Sequence, residues 1–293
     1  MAQVGSGSAA RRQRWCVIFN CQAIGLSNCL SLLCDELDVE HYDPATFRQH
    51  RQAVHERLDS YDRVIAAPWV EAQYGRLGER DNIWRVPSFN FTGYHPDHCN
   101  LAAGENLLGG PLKGNFSALS LAAFRCGLDE AQTVRLYSRT VFERLGFLSH
   151  WDATRDQFLA QFRNAGLDLS RAFVDWSRSG PFAYIPTHPK IECLRDIAGA
   201  LLDRAGLRHR EAAWLPHDNI ANGDWFPVYP EIASTIGVRG NYRFKPASRY
   251  QFLDLEEFVG LSFEFFREND SVVPLKPYVN IVDRAMACIR DLR

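Results

Sequence analysis

The chain has 293 residues, of which 46% are hydrophobic and 23% charged, so it can bury the core of one large or two small globular domains. Its formal net charge of −2 gives no basis for expecting nucleic acid or an acidic membrane as a partner. No apolar run approaches the roughly 20 residues of a membrane-spanning helix, so we expect no membrane span. Eight cysteines without a Cys-x-x-Cys pair favour free thiols in a cytoplasmic protein over a disulfide framework.

The first fourteen residues are rich in Gly, Ser and Ala and then basic, and no apolar segment typical of a secretion signal follows them. They predict a disordered leader over residues 1–14. Residues 15–293 show no repeat and no low-complexity linker, and they predict a single α/β domain. Its first element is the apolar run from Trp15 to Phe19, which predicts a buried strand. A helix follows, because apolar residues then return at helical spacing as Ile24, Leu26, Leu30 and Leu33.

Cys21 lies where this strand passes into the helix. The first N–H groups of a helix lack internal partners and carry partial positive charge, so they can lower a thiol pKa and hold an oxyanion. Cys21 is therefore a candidate nucleophile, with Asn20 and Gln22 beside it to steady an oxyanion. The alternative is that Cys21 is a small buried apolar residue, which is the commonest state of a free cysteine.

Elements along the rest of the chain predict the fold class. Asp43 and Pro44 begin a helix, and strands are expected at Arg63–Ala67 and within Ile83–Phe91. From Asn115 onward the pattern is mainly helical, with helices expected at Asn115–Cys126, Asp129–Leu145, Trp151–Ala165, Asp168–Ser179, Ile191–Ala205, after Asp254 and at about Lys276–Arg290. We therefore predict an α/β fold, a small mostly parallel sheet with an active site at its strand ends and extensive helical additions.

Two histidines occupy similar turns after apolar runs, His95 in Tyr-His-Pro-Asp and His188 in Thr-His-Pro-Lys. The prolines stiffen these turns, so each histidine is a candidate general base. Asp97 is placed to orient an imidazole or a loop N–H. Each histidine has the alternative role of a loop residue bonded to backbone. His98 and Cys99 follow closely, but no second compact ligand pair does, so we expect no metal site.

Basic residues supply two candidate anion sites. Arg239, Arg243, Lys245 and Arg249 alternate with aromatic residues, a pattern that suits either a phosphate-bearing ligand with a ring or a solvated strand face. Lys113 and Ser117 flank the expected opening of a helix at Asn115, which is a possible seat for an anion. No GxGxxG, GxxxxGK[ST] or GxSxG motif is present. The sequence therefore gives no sign of a dinucleotide-binding fold, a P-loop nucleotide site or the nucleophile elbow of a hydrolase.

Five short motifs in order resemble the WcbI family of bacterial polysaccharide biosynthesis proteins, over about Trp15 to Phe266. They begin at Val17, Gly93, Ile185, Pro227 and Gly240 and read VIFNCQ, GYHPD, IPTHP, PVYPE and GNYRFK. The chain has Phe19 where the family pattern has Gly before Asn-Cys-Gln. Its Asn115-Phe116-Ser117 also departs from a Tyr-His-Ser-like triplet.

The resemblance implies an acetyltransferase that takes coenzyme A or acetyl-CoA and acts on a sugar or polysaccharide precursor of a capsule or surface glycan. Cys21 would take the acyl group or polarise the site, with His95 or His188 as base. Arg243 and above all Lys245 would meet the phosphates of the coenzyme. The alternatives are a cysteine-dependent thioesterase or deacetylase, and a non-catalytic component that binds coenzyme A or a glycan.

Overall fold

The computed structural model describes residues 11–102, 109–269 and 271–292. Within them the strands are β1 (Gln13–Ile18), β2 (Leu37–Tyr42), β3 (Arg63–Ala66), β4 (Ile83–Arg85), β5 (His98–Ala102), β6 (Asn115–Ser117), β7 (Ala183–Ile185), β8 (His188–Pro189) and β9 (Val273–Pro274). The helices are α1 (Ala23–Leu33), α2 (Pro44–Arg57), α3 (Pro68–Tyr74), α4 (Ala118–Arg125), α5 (Glu130–Val134), α6 (Arg139–Arg144), α7 (His150–Asn164), α8 (Ser170–Arg178), α9 (Ile191–Arg204), α10 (Pro230–Ile236), α11 (Leu255–Glu268) and α12 (Val279–Asp291).

Two compact units make up the chain. The first unit comprises Met1–Ser88, Gln161–Ser170 and Ile191–His217. The second unit comprises Phe89–Ala160, Arg171–Lys190 and Asp218–Arg293. No helix in the described ranges is long and apolar enough to cross a membrane.

The sheet of the first unit is parallel throughout, in the order β2-β1-β3-β4. β1 is central, with Trp15 opposite Val39 on one side and Arg63 on the other. Its residues from Trp15 to Ile18 are fully buried, as expected for an inner strand of a parallel sheet. The predicted parallel sheet is confirmed, but the sequence pattern missed β2. Half of the residues of that edge strand are polar, and only Leu37 is buried, so it lacks an apolar run.

The predicted leader over residues 1–14 is wrong for its last two residues, which belong to a strand. β1 begins at Gln13, since Gln13 and Arg14 pair with Leu37 and Asp38 of β2. The predicted leader therefore overlaps the first strand by two residues. Its residues 1–10 lie outside the described part of the chain.

Helix α1 packs against α9 within the first unit. Gly25 allows the close approach, because a Cβ built at that position would lie 2.7 Å from Leu194 Cδ1. The predicted start of α2 is confirmed by a capping box, in which Asp43 Oδ1 accepts the Thr46 N–H at 2.8 Å and Thr46 Oγ1 accepts the Asp43 N–H at 2.9 Å.

The second unit contains a short antiparallel sheet in the order β6-β5-β9 and the small hairpin of β7 and β8. Asn115 was predicted to open a helix, and this is wrong. Asn115–Ser117 pairs with β5, where Phe116 is buried opposite Cys99. The helix begins only at Ala118, with Ser117 as its N-cap.

The predicted helix over Asp129–Leu145 is two helices, α5 and α6. Tyr137 lies between them and is buried, and its hydroxyl bonds to the hydroxyls of Ser117 at 2.6 Å and Ser120 at 2.7 Å. Tertiary bonding of this side chain therefore outweighs the helical spacing of its neighbours. Aromatic residues fill much of the remaining core of the second unit, including Phe89, Phe91, Tyr94, Phe158, Phe173 and Phe182.

Candidate active site

The turn after β1 carries Cys21, as the sequence predicts. Asn20 shapes this turn, because its Oδ1 accepts the Gln22 N–H at 3.1 Å and its carbonyl oxygen accepts the Ala23 N–H at 3.0 Å. The backbone N–H groups of Gln22 and Ala23 are at the position where we expected an oxyanion to bind, but both of them donate to Asn20. Gln22 is buried, whereas Cys21 has exposed surface.

Desolvation by the surrounding protein raises the pKa of the Cys21 thiol to about 11, although part of the residue is exposed. The backbone N–H of Cys21 itself lowers the pKa by less than desolvation raises it, and the carboxylate of Asp43 makes a still smaller raising contribution. The expected lowering of this pKa by the helix N-terminus is therefore wrong. At neutral pH Cys21 is a thiol and needs a base to become a nucleophile.

In the second unit, His95, His98 and His188 interact electrostatically, and we call them the histidine cluster. His95 packs edge-on against the ring of Phe226, with centroids 6.0 Å apart. The ring of His98 packs against Phe226 at 5.5 Å and against Tyr278 at 5.8 Å. From the sequence we considered His98 only as a possible zinc ligand, so we did not predict that it lies beside the other two histidines.

Burial keeps the histidine cluster neutral. It lowers the pKa of His95 to about 3, and a charge on His98 would lower that pKa further. Desolvation likewise lowers the pKa of His98 to about 4 and that of His188 to about 4. In the described part of the chain, neither ring nitrogen of His95 has a hydrogen bond of normal geometry. The Phe226 backbone nevertheless interacts with the ring and opposes the lowering of the His95 pKa. All three rings are therefore neutral at pH 7.

Asp97 is placed to organise the start of α4. Its Oδ1 accepts the Leu119 N–H at 2.9 Å, and its Oδ2 accepts the Tyr229 hydroxyl at 2.8 Å. Burial raises the pKa of Asp97 to about 6, while bonds from Ser117, Leu119 and Tyr229 oppose the shift. The hydrogen bonds described for Asp97 therefore go to these residues rather than to the His95 ring. Ser117 belongs to the same buried network, whereas Lys113 is exposed in a left-handed turn with φ 44°.

Lys245 is buried between aromatic rings. Its ammonium lies 5.1 Å from the Trp225 ring centroid and 5.2 Å from that of Tyr250. Nζ donates to the carbonyl oxygens of Gly223 at 2.9 Å and Ala221 at 3.3 Å. Desolvation lowers the pKa of Lys245, and the carboxylate of Asp224 opposes this. The contacts described for Nζ are therefore with backbone carbonyl oxygens and aromatic rings.

A cavity of about 800 Å³ lies within the second unit. Arg239, Arg243 and Lys190 supply three positive charges to its lining. Tyr184 and Trp225 line it as a stacked pair, with centroids 4.8 Å apart and planes at 15°. Arg243, predicted from the sequence to meet a phosphate-bearing ligand, lines this cavity. Lys190 and Trp225 were missed, since their place in the cavity depends on tertiary folding.

No group of three or more His, Cys, Asp or Glu side chains in the described residues is arranged to hold a metal ion. The arrangement that the structure does provide has two parts. The second unit contains the histidine cluster, Lys245 and the cationic cavity, and Phe226 both lines this cavity and packs against His95 and His98. The first unit holds Asn20, Cys21 and Gln22 at a strand end.

Comparison with known proteins gives two matches. The model of a family described as polysaccharide biosynthesis enzyme WcbI matches residues 14–210. A solved structure of WcbI, described as the native protein without a disulfide bond between coenzyme A and one of its cysteines, is similar with a TM-score of 0.65 and 17% identity. The match covers 96% of this chain and 98% of the other. A search of curated proteins gave no match.

Proposed function

The chain belongs to the WcbI family of polysaccharide biosynthesis enzymes, and from this premise we propose that it is an acetyl-CoA-dependent O-acetyltransferase. Its acceptor is a hydroxyl of a sugar or polysaccharide precursor of a capsule or surface glycan. The observation that carries the proposal is the cationic and aromatic cavity of the second unit. The structural relative is described in terms of coenzyme A, which gives the ligand class.

Coenzyme A combines an adenine ring with three phosphate groups, and the cavity offers partners for both. The cavity lining carries the charged side chains of Arg239, Arg243 and Lys190, and arginine and lysine bind phosphate oxygens well. The stacked pair of Tyr184 and Trp225 offers a flat aromatic surface to a purine. A cavity of about 800 Å³ also falls within the roughly 300–1,000 Å³ of ligand sites. Adenine and phosphate recognition are therefore assigned to this cavity.

Proton transfer is assigned to the histidine cluster. His188 is the member with exposed surface, and its ring is neutral at pH 7. The acceptor hydroxyl gives its proton to His188 as its oxygen forms a bond to the acetyl carbonyl carbon. The thioester C–S bond then breaks, and the departing sulfur takes the proton from His188. The products are the O-acetylated sugar and coenzyme A with a free thiol. His95 is fully enclosed and is the second candidate base.

The role of Cys21 depends on its protonation. With a pKa near 11, the thiol supports a pocket-lining role, with direct transfer from acetyl-CoA to the acceptor. A nucleophilic Cys21 would need a base to remove its proton. Replacing Cys21 by Ala and by Ser separates the two cases. Full turnover of both variants excludes an acetyl-cysteine intermediate, and loss of turnover in both supports one.

Mass spectrometry tests the reaction directly. The protein is incubated with trideuteroacetyl-CoA and with glucose, UDP-glucose or GDP-mannose, and the products are compared with those formed without a sugar. An acceptor that gains the labelled acetyl group supports the proposal. Release of labelled acetate at the same rate with and without sugars supports a thioesterase instead. Tight binding of coenzyme A by calorimetry without either product supports a non-catalytic component.

Localisation in the cytoplasm is proposed with the function. All eight cysteines are unbridged. Free thiols of this number persist in a reducing compartment, which is also where acetyl-CoA is made.

A further inference from the structure

Two ring nitrogens in the histidine cluster, Nδ1 of His98 and Nδ1 of His188, are buried without a hydrogen-bond partner in the described residues. The His95 ring, in contrast, interacts with the Phe226 backbone. Buried polar atoms usually have partners, because an unpaired one loses its bonds to water without replacement. Apolar residues of similar size would fill the same space at lower cost. The unpaired Nδ1 atoms of His98 and His188 are therefore available to accept a proton.

The proton of His98 has a fixed position. Asn115 Nδ2 donates to the Leu112 carbonyl at 2.9 Å and to Asp224 Oδ2 at 3.3 Å, so the Asn115 amide oxygen is turned toward His98. That oxygen lies 2.9 Å from His98 Nε2. An amide oxygen only accepts, so Nε2 carries the hydrogen and Nδ1 keeps its lone pair.

The partner of His98 is neutral. Asn115 orients the ring but supplies no negative charge, unlike the carboxylate that commonly holds a catalytic histidine. The next group behind it, Asp224, accepts the Ala247 N–H at 2.7 Å and interacts with Lys113 and Lys245. The negative charge of Asp224 is thus balanced by lysines and separated from His98 by an amide. This arrangement orients His98 without favouring its protonation as strongly as a carboxylate would.

A second charge in the cluster would be costly. The charge of His188 disfavours protonation of His98, and that of His98 disfavours protonation of His95. Other titratable groups close to the cluster are Tyr278 against His98, Asp218 near His188, and Asp224 with Lys245. Asp218 is the group that favours protonation of His188. A proton on His188 is therefore favoured by Asp218 and disfavours a second proton on His98.

We propose that His98 is a positioning residue of the acetyl-transfer reaction: held by Asn115 with its proton on Nε2, it stays neutral beside His188 and so lets His188 take the acceptor's proton. This inference rests on the proposed acetyltransferase function. Its distinguishing consequence concerns Asn115→Asp, which places a carboxylate against His98 Nε2. The new carboxylate raises the pKa of His98, so His98 becomes charged at a higher pH than in the wild type. The charge on His98 then opposes proton uptake by His188.

The experiment follows acetyl transfer from acetyl-CoA to the best acceptor among glucose, UDP-glucose and GDP-mannose, as a function of pH. We expect Asn115→Asp to move the acidic limb of kcat/KM upward by at least one pH unit. His98→Gln should lower kcat at least tenfold and leave KM for acetyl-CoA within twofold. His55→Gln is the matched control, because His55 also has a buried Nε2 without a partner but lies in the first unit. It should change neither quantity.

Nitrogen NMR of the wild-type histidines adds a readout that needs no turnover and no stable variant. We expect the His98 proton on Nε2 and a neutral ring throughout the range from pH 5.5 to 8. A proton on Nδ1, or a charged ring at pH 7, overturns the inference. So does an unshifted acidic limb in Asn115→Asp together with an unchanged kcat in His98→Gln. Failure of the wild-type protein to acetylate any acceptor refutes the proposed function itself.

Discussion

Acidification will destabilise the protein through the buried histidine cluster, and His95→Phe will remove a defined part of that effect. The folded-state pKa of His95 is about 3, against an ordinary value of 6.5, because the ring is fully enclosed. Between these two values the unfolded chain binds a proton at His95 that the folded protein does not. The stabilisation is complete above pH 6.5, and it is lost as the pH falls toward 3.

The size of the effect follows from these pKa values. Lowering the pH from 7.5 to 4.5 costs about 2.7 kcal/mol of unfolding free energy at His95 and about 2.5 kcal/mol each at His98 and His188. Asp97 acts in the opposite direction, because its folded-state pKa is raised to about 6 and its protonation recovers about 2 kcal/mol. The net loss of about 6 kcal/mol is comparable to the roughly 5–15 kcal/mol that stabilises a typical folded protein.

Phe is the informative replacement, because the His95 ring packs edge-on against Tyr94 and Phe226. Urea denaturation at pH 7.5 and 4.5, followed by tryptophan fluorescence, measures the pH dependence. The loss of unfolding free energy in His95→Phe should be smaller than in the wild type by about 2.7 kcal/mol. His50→Gln, at an exposed position on α2, is the control and should behave as the wild type. Equal losses in His95→Phe and the wild type would refute the reasoning.

Two further predictions concern the cavity and Asp97. Arg243→Ala and Arg239→Ala should each raise the calorimetric Kd for coenzyme A about tenfold, since each removes a charge-assisted bond to phosphate of about 1.5 kcal/mol; an unchanged Kd in both variants contradicts the assignment of this cavity. Asp97→Asn should abolish the recovery of about 2 kcal/mol that protonation gives between pH 7.5 and 4.5. Urea denaturation at the two pH values measures it, and a pH dependence equal to that of the wild type would contradict it.

Much of the first unit is predictable because local patterns and tertiary packing agree there. The run from Trp15 to Phe19 is apolar because β1 lies inside the sheet, and Asp43 with Pro44 marks the beginning of α2 through capping chemistry. β2 was not predicted because its polar and apolar residues are mixed, so this edge strand has no apolar run. The short β6 escaped because its pairing with β5 is a long-range contact that the spacing of Asn115 to Cys126 does not reveal.

Within the candidate site, sequence identified residue types better than their partners. His95 and His188 were found through their His-Pro turns, and the structure places both in the histidine cluster. The proximity of Asp97 in sequence suggested a bond to an imidazole, but the fold turns its carboxylate to Tyr229 and Leu119. The importance of His98 depends on Asn115, seventeen positions away along the chain, so no local pattern could show it.

A crystal structure of the protein with coenzyme A tests the central claim most directly. The account predicts phosphate groups bound by Arg239 and Arg243 and the adenine ring against the stacked Tyr184 and Trp225 pair. Coenzyme A bound elsewhere, with this cavity empty at saturating ligand, would contradict it.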